Sequence, residues 1–404
     1  MAVSHFLRRA FVASPKLVPV IAVLFLLCAC SESVTPAPTI AVQSPTIVEE
    51  STPPAHGQAG TVWAWGMNDL AQLGVAQAGQ IARMPVNVQN LTDVTALITS
   101  GTSAFALRED GSVWGWGGSA YDALRGNYLN ITQEPVQVPG FQDIESLFPG
   151  TGMVAVWAID GSGQLWGWGP DDQTAWQVPG LNGVVKVADA PGLYPVMALL
   201  KDGTVWEDLC STCAPDAIDG LQDIQEIAPH IALASSGKVW AVSLDGTALV
   251  KNLSHITHVY GSHWAIAYGL KNDGSLWAWP LASTDGQYAA EQVSISLAVT
   301  SVVAPPTGAP LVVTSDGTIW SLDGSDATEI QGLQSVSAYA SMSDGNYETS
   351  FVIDGQGQLW AWGSNALGQL LDGTTNDSET PIKLPLNNIK LIADGYNCLF
   401  AVQG

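Results

Sequence analysis

Positive charge is what this 404-residue sequence has least of: lysine and arginine number 13 against 37 aspartates and glutamates, a formal net charge of −24. Such an acidic chain argues against nucleic acid and anionic lipid headgroups as partners. Charged residues of both signs make up only 12% of the whole, and no stretch outside the N-terminus has the length and periodicity of an amphipathic helix. Catalytic signatures are missing too. There is no Gly-x-Ser-x-Gly elbow, no phosphate-binding loop and no paired metal-binding motif, so neither an enzyme nor a bound metal or cofactor is expected. What is abundant is 41 glycines, 16 tryptophans and 47% apolar residues, a composition of short strands, tight turns and a large core.

One phrase organises those residues. Gly60-Thr61-Val62-Trp63-Ala64-Trp65-Gly66 returns, with decay, at Gly111, Gly163, Gly203, Gly274, Gly317 and Gly357. Five copies keep Trp-x-Trp: Trp63/Trp65, Trp114/Trp116, Trp166/Trp168, Trp277/Trp279 and Trp360/Trp362. A spacing of two puts both rings on one face of a strand, and the small residue between them leaves room on the other. Recurrence every ~35–50 residues is the period of units that stack to share a core.

The first unit shows the order within a repeat. After the Trp strand come Pro85-Val86-Asn87-Val88, then Val94 to Ile98, then Ser103 to Leu107, then Asp110-Gly111. Four short strands at this period make a β-propeller blade. Trp65-Gly66-Met67-Asn68 with Gln72-Leu73-Gly74, and Trp362-Gly363-Ser364-Asn365 with Gly368-Gln369-Leu370, resemble the repeat of the regulator-of-chromosome-condensation family. The resemblance spans residues 60 to 404 and implies an all-β, closed propeller of seven blades, whereas a strict count of motif units gives eight. Near residue 240 two registers compete. Either Gly237-Lys238-Val239-Trp240 opens a unit, or Trp240 sits in the strand before Asp245-Gly246-Thr247; matching Trp240-Ala241-Val242 to Trp264-Ala265-Ile266 favours the second. The chain ends on Leu399 to Gly404, a strand lacking the Trp strand that elsewhere follows it, and begins at Gly60 with a Trp strand lacking its predecessor. The two ends should complete one blade.

The N-terminus is expected to be an address and an anchor. Arg8, Arg9 and Lys16 precede an apolar run from Leu17 to Leu27, too short to span a bilayer comfortably, so residues 1–29 form a signal peptide. Leu27-Cys28-Ala29-Cys30 resembles the lipobox of bacterial lipoproteins, which implies a lipid on Cys30, and Ser31 stands where an aspartate would favour retention in the inner membrane. Arg8-Arg9 also resembles a twin-arginine export signal, leaving the export route open. Cleavage removes three cations and no acid, lowering the formal charge to −27. Residues 30–59, rich in Pro, Ser, Thr and Ala, form a disordered tether reaching up to about 90 Å at ~3.1 Å per residue. The expected location is a bacterial cell envelope, at the outer membrane or cell surface.

Loop lengths point to a sector. The units opening at Gly60, Gly111 and Gly357 are longer after the Trp strand (Met67 to Met84, Gly118 to Glu134, Ser364 to Thr380), and ring closure makes them neighbours. The arginines of the mature chain, Arg83, Arg108 and Arg125, lie in the first two units. Arg83, Arg125, Tyr121 and Tyr128 are the candidate partner-binding residues, being types suited to interface anchors. Cys210 and Cys213 are a candidate disulfide in the loop after Trp206. Cys398 lies in an apolar run as a free thiol. His255 and His258 are spaced for opposite faces of a strand, His263 occupies a repeat position before Trp264, and the Asp-Gly pairs are read as hairpin turns. Together these features describe a monomeric, lipid-anchored propeller that binds a protein, as an adaptor or as an inhibitor of an envelope enzyme. The alternative is an envelope enzyme acting on carbohydrate or a small ligand through channel-facing carboxylates.

Overall fold

The computed structural model describes residues 60–118, 132–151, 154–169, 171–189, 196–243, 246–261, 266–281, 288–304, 309–343 and 348–404, all within one compact unit, Thr46–Gly404. The expected signal peptide, Cys30, the tether, Tyr121, Arg125, Tyr128 and His263 lie outside the described residues. The described residues form strands and no helix, so no helix among them is long and apolar enough to cross a membrane.

The strands make eight antiparallel sheets of four, each a blade. Blade I joins the chain ends: Ile389–Gly395 innermost, then Cys398–Gln403, Thr61–Met67 and Ile81–Asn87. The inner strands of blades II to VIII are Val94–Ser100, Ile144–Pro149, Val184–Ala188, Ile224–Ala228, Ile256–Gly261, Val299–Val303 and Ala338–Ser343. Val94–Ser100 lies against both Ile389–Gly395 and Ile144–Pro149, and Ala338–Ser343 against Ile389–Gly395, so blades VIII, I and II are neighbours. Closure is as expected, with Thr61 opposite Gln403 and Gly66 opposite Cys398 in an unbroken register. The all-β propeller is the observed fold. Its blade count is eight, the number of motif units, rather than the seven of the resemblance.

The period-2 pattern explains where the core sits. Eight apolar clusters fill the gaps between successive blades. Along Thr61–Met67, Val62 and Ala64 face blade II while Trp63 and Trp65 face blade VIII. Strand alternation thus lets each sheet serve two cores. The small residue between the tryptophans is needed: a Cβ on Gly167 would stand 2.6 Å from the ring of Trp176, and one on Gly115 3.0 Å from the ring of Phe105.

The register near residue 240 is the first of the two readings, which corrects the preference above. Val239–Ser243 is the Trp strand of blade V, and Gly246–Leu249 is its outer strand. The reason is contact between blades. Gly237 has φ +76° and a Cβ there would meet the backbone of His255 at 3.0 Å, as one on Gly203 would meet Asp223 at 3.2 Å; a Cβ on Gly246 would meet nothing. Gly237 therefore occupies the opening position of a unit, and Gly246 only turns a hairpin.

Candidate functional site

Each blade's first-to-second strand turn and third-to-outer strand loop share one face of the ring, here the loop face. The Asp-Gly turns and the connections between blades share the other, the turn face. Gly60, where the described chain enters, donates its N–H to the Gln403 carbonyl and sits beside Asp93, on the turn face.

Much of the long loops on the loop face is a clasp between blades. In the loop after Trp65, the Asn68 carboxamide accepts from Leu73 N–H at 3.0 Å and donates to the Gly79 carbonyl at 2.9 Å, and Gln72 Oε1 accepts from Leu70 N–H. Asn365 and Gln369 repeat this in the last blade. So folded, the loop presents the Gln72 carbonyl to the indole N–H of Trp116 (3.0 Å) and the Gln369 carbonyl to that of Trp65 (3.1 Å), each in the next blade. Leu73 and Leu370 are fully buried beneath. The Asn-x-x-x-Gln-Leu motif thus does structural work, and only the tips, residues 76–80 and 372–377, are largely exposed.

The opening tryptophan of most units, whether or not a second follows it, is pinned at the turn face. Ser112, Thr204, Ser275 and Thr318 accept the indole N–H of Trp114, Trp206, Trp277 and Trp320, and each hydroxyl in turn donates to the turn aspartate. Where the turn is longer, Asp160 and Asp354 accept directly from Trp166 and Trp360, both at 2.9 Å. Burial pushes these two carboxyls up, but their hydrogen bonds outweigh it and hold both below the ordinary 3.8. A carboxyl depressed by folding stabilises the fold above its unfolded value and loses that contribution as pH falls through its folded one. The urea midpoint is therefore expected to fall as pH drops below 3.8, and Asp160→Asn with Asp354→Asn to flatten that fall. Identical pH profiles for parent and variant would remove this account.

The two faces differ in charge. Lys201, Lys238, Lys251, Lys271, Lys383, Lys390 and Arg108 lie at the turn face, whereas among the described residues no lysine lies at the loop face. Packing on tryptophan helps to explain this: Lys271 sits 4.0 Å above the Trp277 ring, Lys383 5.0 Å above Trp360 and Arg108 5.7 Å above Trp114. The loop face carries Asp69, Asp172, Asp208, Asp323, Asp372 and Asp377 among others.

This divides the arginines. Arg108 belongs to the turn face, donating to the Thr92 carbonyl and lying 3.7 Å from Asp93, so it is not in the loop sector. Arg83 is exposed on the outer strand Ile81–Asn87, its stem packed on Gly368 of the neighbouring clasp. Tyr396, 51% exposed in the turn after Ile389–Gly395, joins the same sector and was missed in sequence because a lone Tyr-Asn turn carries no signal.

Other singled-out residues resolve locally. Cys210 and Cys213 are bonded to each other. Cys398 is buried, which pushes its thiol up. His255 takes the left-handed turn before an inner strand, and His258 Nδ1 lies 3.4 Å from Glu226 of the adjacent blade. No cluster of three or more His, Cys, Asp or Glu among the described residues forms a metal site.

An eight-bladed propeller with interlocking Trp and Gln-Leu motifs is the class that fold and site define. Residues 356–402 match the regulator of chromosome condensation (RCC1) repeat. Residue-level relatives include the mitochondrial RCC1 domain-containing protein RUG3 of Arabidopsis thaliana, 30% identical over 30% of this chain and 28% of that protein. The E3 ubiquitin-protein ligase HERC2 of Homo sapiens is 28% identical over 28% of this chain and 2% of its own length. The chain thus spans less than a third of these relatives. Among solved structures, Prp20p of Saccharomyces cerevisiae is 16% identical with a TM-score of 0.55, covering 86% of this chain and 92% of Prp20p. Human WBSCR16 is 14% identical with a TM-score of 0.57, covering 86% of this chain and 100% of that one. These findings support the family that the repeat resembles.

Proposed function

We propose that this protein is an envelope lipoprotein, anchored through Cys30, whose propeller binds a protein partner on its loop face as an adaptor or an inhibitor. One observation carries the reading. The described chain enters the ring at Gly60 on the turn face, while the long loops leave from the opposite face. Loops on a rigid scaffold are the usual place for binding. Propellers of this shape bind proteins: Prp20p is described with its binding to Gsp1p and histones, and yeast RCC1 has been seen bound to Kap60. The partner that suits this sector presents carboxylates, because Arg83 stands exposed there on a face otherwise rich in aspartate, and a guanidinium pairs with a carboxylate through two hydrogen bonds. Arg83 and Tyr396 supply the side chains that reach outward within it, and Arg125, Tyr121 and Tyr128 are proposed to add to them.

The test is affinity capture from the source envelope at low and high salt. The parent is compared with Arg83→Glu/Arg125→Glu/Tyr128→Ala and with a Cys30→Ala variant. One protein captured by the parent and lost from the triple variant, with salt-sensitive binding, is the expected result, and Cys30→Ala should leave the membrane fraction. Equal capture by parent and triple variant would discard the sector, and membrane retention of Cys30→Ala would discard the anchor.

A further inference from the structure

One of the three shortest outer ladders of the ring is in blade IV. Its third strand is Val205–Glu207 and its outer strand is Asp216–Ala217, joined through only two residue pairs, Trp206 opposite Ala217 and Glu207 opposite Asp216. The second pair sets two carboxylates directly across the ladder, an arrangement that opposes pairing. Asp208 follows at once with φ +59°, a backbone conformation that side chains rarely adopt. Among the described residues the charged groups acting on Glu207 are Asp208 and Asp216, both acids. Asp172 of the preceding blade's loop is engaged elsewhere, accepting from Trp176 Nε1 at 2.7 Å and Gly169 N–H at 2.9 Å. Three residues beyond Glu207 the loop is stapled, with Cα atoms of Cys210 and Cys213 5.1 Å apart across their bond. Leu209, buried between the acids and the staple, is the apolar contact that the closed hairpin protects.

We propose that the Cys210–Cys213 disulfide is a redox latch, holding closed a hairpin that the Glu207 and Asp216 carboxylates push open once the bond is reduced at neutral pH. The chemistry needs a dithiol reductant. Its thiolate attacks one sulfur, the S–S bond breaks, and its second thiol resolves the mixed disulfide. Two electrons and two protons pass to Cys210 and Cys213, and the reductant leaves as its own disulfide. Both cysteines are only half-buried and the residues between them are exposed, so the bond is accessible. The pH dependence follows in sign. Burial, then Asp208 and Asp216, raises the Glu207 carboxyl above its ordinary 4.5, so the closed hairpin holds a proton more tightly than the open one. Closure is favoured in acid and weakens as pH rises through that raised value.

Peptide-resolved hydrogen exchange on the full-length chain tests this, comparing the parent with Cys210→Ser/Cys213→Ser and with the parent after dithiol reduction. In the double variant, amides of residues 206–217 should exchange about tenfold faster at about pH 7.5 and less than about twofold faster at about pH 3.5, after correction for intrinsic rates. The reduced parent should match the variant at neutral pH, and adding Glu207→Gln should bring its exchange most of the way back. Equal acceleration at both pH values would mean that the bond merely shortens a loop. No acceleration at either would mean that packing alone holds the hairpin. A Glu207→Gln addition without effect would remove the carboxylates from the mechanism.

Discussion

Deleting residues 399–404 is expected to abolish the cooperative thermal transition of the ring. The strand Cys398–Gln403 is no appendage, since it lies inside blade I, paired on one side with Ile389–Gly395 and on the other with Thr61–Met67. Leu399, Phe400 and Val402 are 0%, 1% and 1% exposed, and they face alternately into the cores shared with blades VIII and II. Three large side chains at ~1.5–3 kcal/mol each amount to about 5–9 kcal/mol, against a total stability of ~5–15 kcal/mol for a typical fold. The deletion would also leave two unpaired strand edges in the middle of a sheet. Calorimetry of the truncated chain should show no sharp endotherm. A permuted chain that places 389–404 ahead of Gly60 through an Asp-Gly turn should recover it, because other blades make this connection by such a turn. A truncated chain that melts like the parent would show that the ring does not depend on this strand.

The second large effect is expected at the clasp. Trp65 is fully buried, donates to the Gln369 carbonyl of the preceding blade and meets Phe351 edge-on at 6.0 Å. Trp65→Ala should cost about 3–5 kcal/mol, the range for removing a buried aromatic side chain. More telling is the comparison of two conservative changes. Trp65→Phe keeps most of the bulk and leaves the Gln369 carbonyl without its donor, a loss of about 1–3 kcal/mol if that carbonyl stays dry. Trp279 occupies the matching place in blade VI and is 2% exposed, yet its indole N–H has no partner among the described residues, because Ser243 pairs directly with Gly246 in blade V and the sequence there has no Gln-Leu loop to supply a carbonyl. Trp279→Phe should therefore cost less than Trp65→Phe in urea unfolding. Equal costs would mean that the clasp hydrogen bond contributes nothing.

The comparison of these two tryptophans also shows how far the sequence could be read. Trp65 and Trp116 sit next to blades that keep the Asn-x-x-x-Gln-Leu motif, and there the repeat was plain. Around Trp240 the motif has gone, and Asp245-Gly246 imitates an opening turn so well that local pattern chose the wrong register. The long loops have a second role that the sequence did not show. Their length marked them as candidates for binding, but half of each is consumed by Asn68 or Asn365 in presenting one carbonyl to a neighbour. Two-residue outer strands such as Asp216–Ala217 carry no periodicity at all and could only be seen once paired.

What the sequence by itself determined is the repeating strand, its two-sided burial and the meeting of the chain ends, because alternation along a strand and turn chemistry are local properties written residue by residue. The number of blades, the register at Gly237 and the separation of Arg108 from Arg83 onto opposite faces were decided only by the tertiary structure. Each depends on what stands across the gap between two blades, where a backbone approach near 3 Å or a tryptophan ring under a lysine selects one arrangement, and no stretch of one blade contains that information.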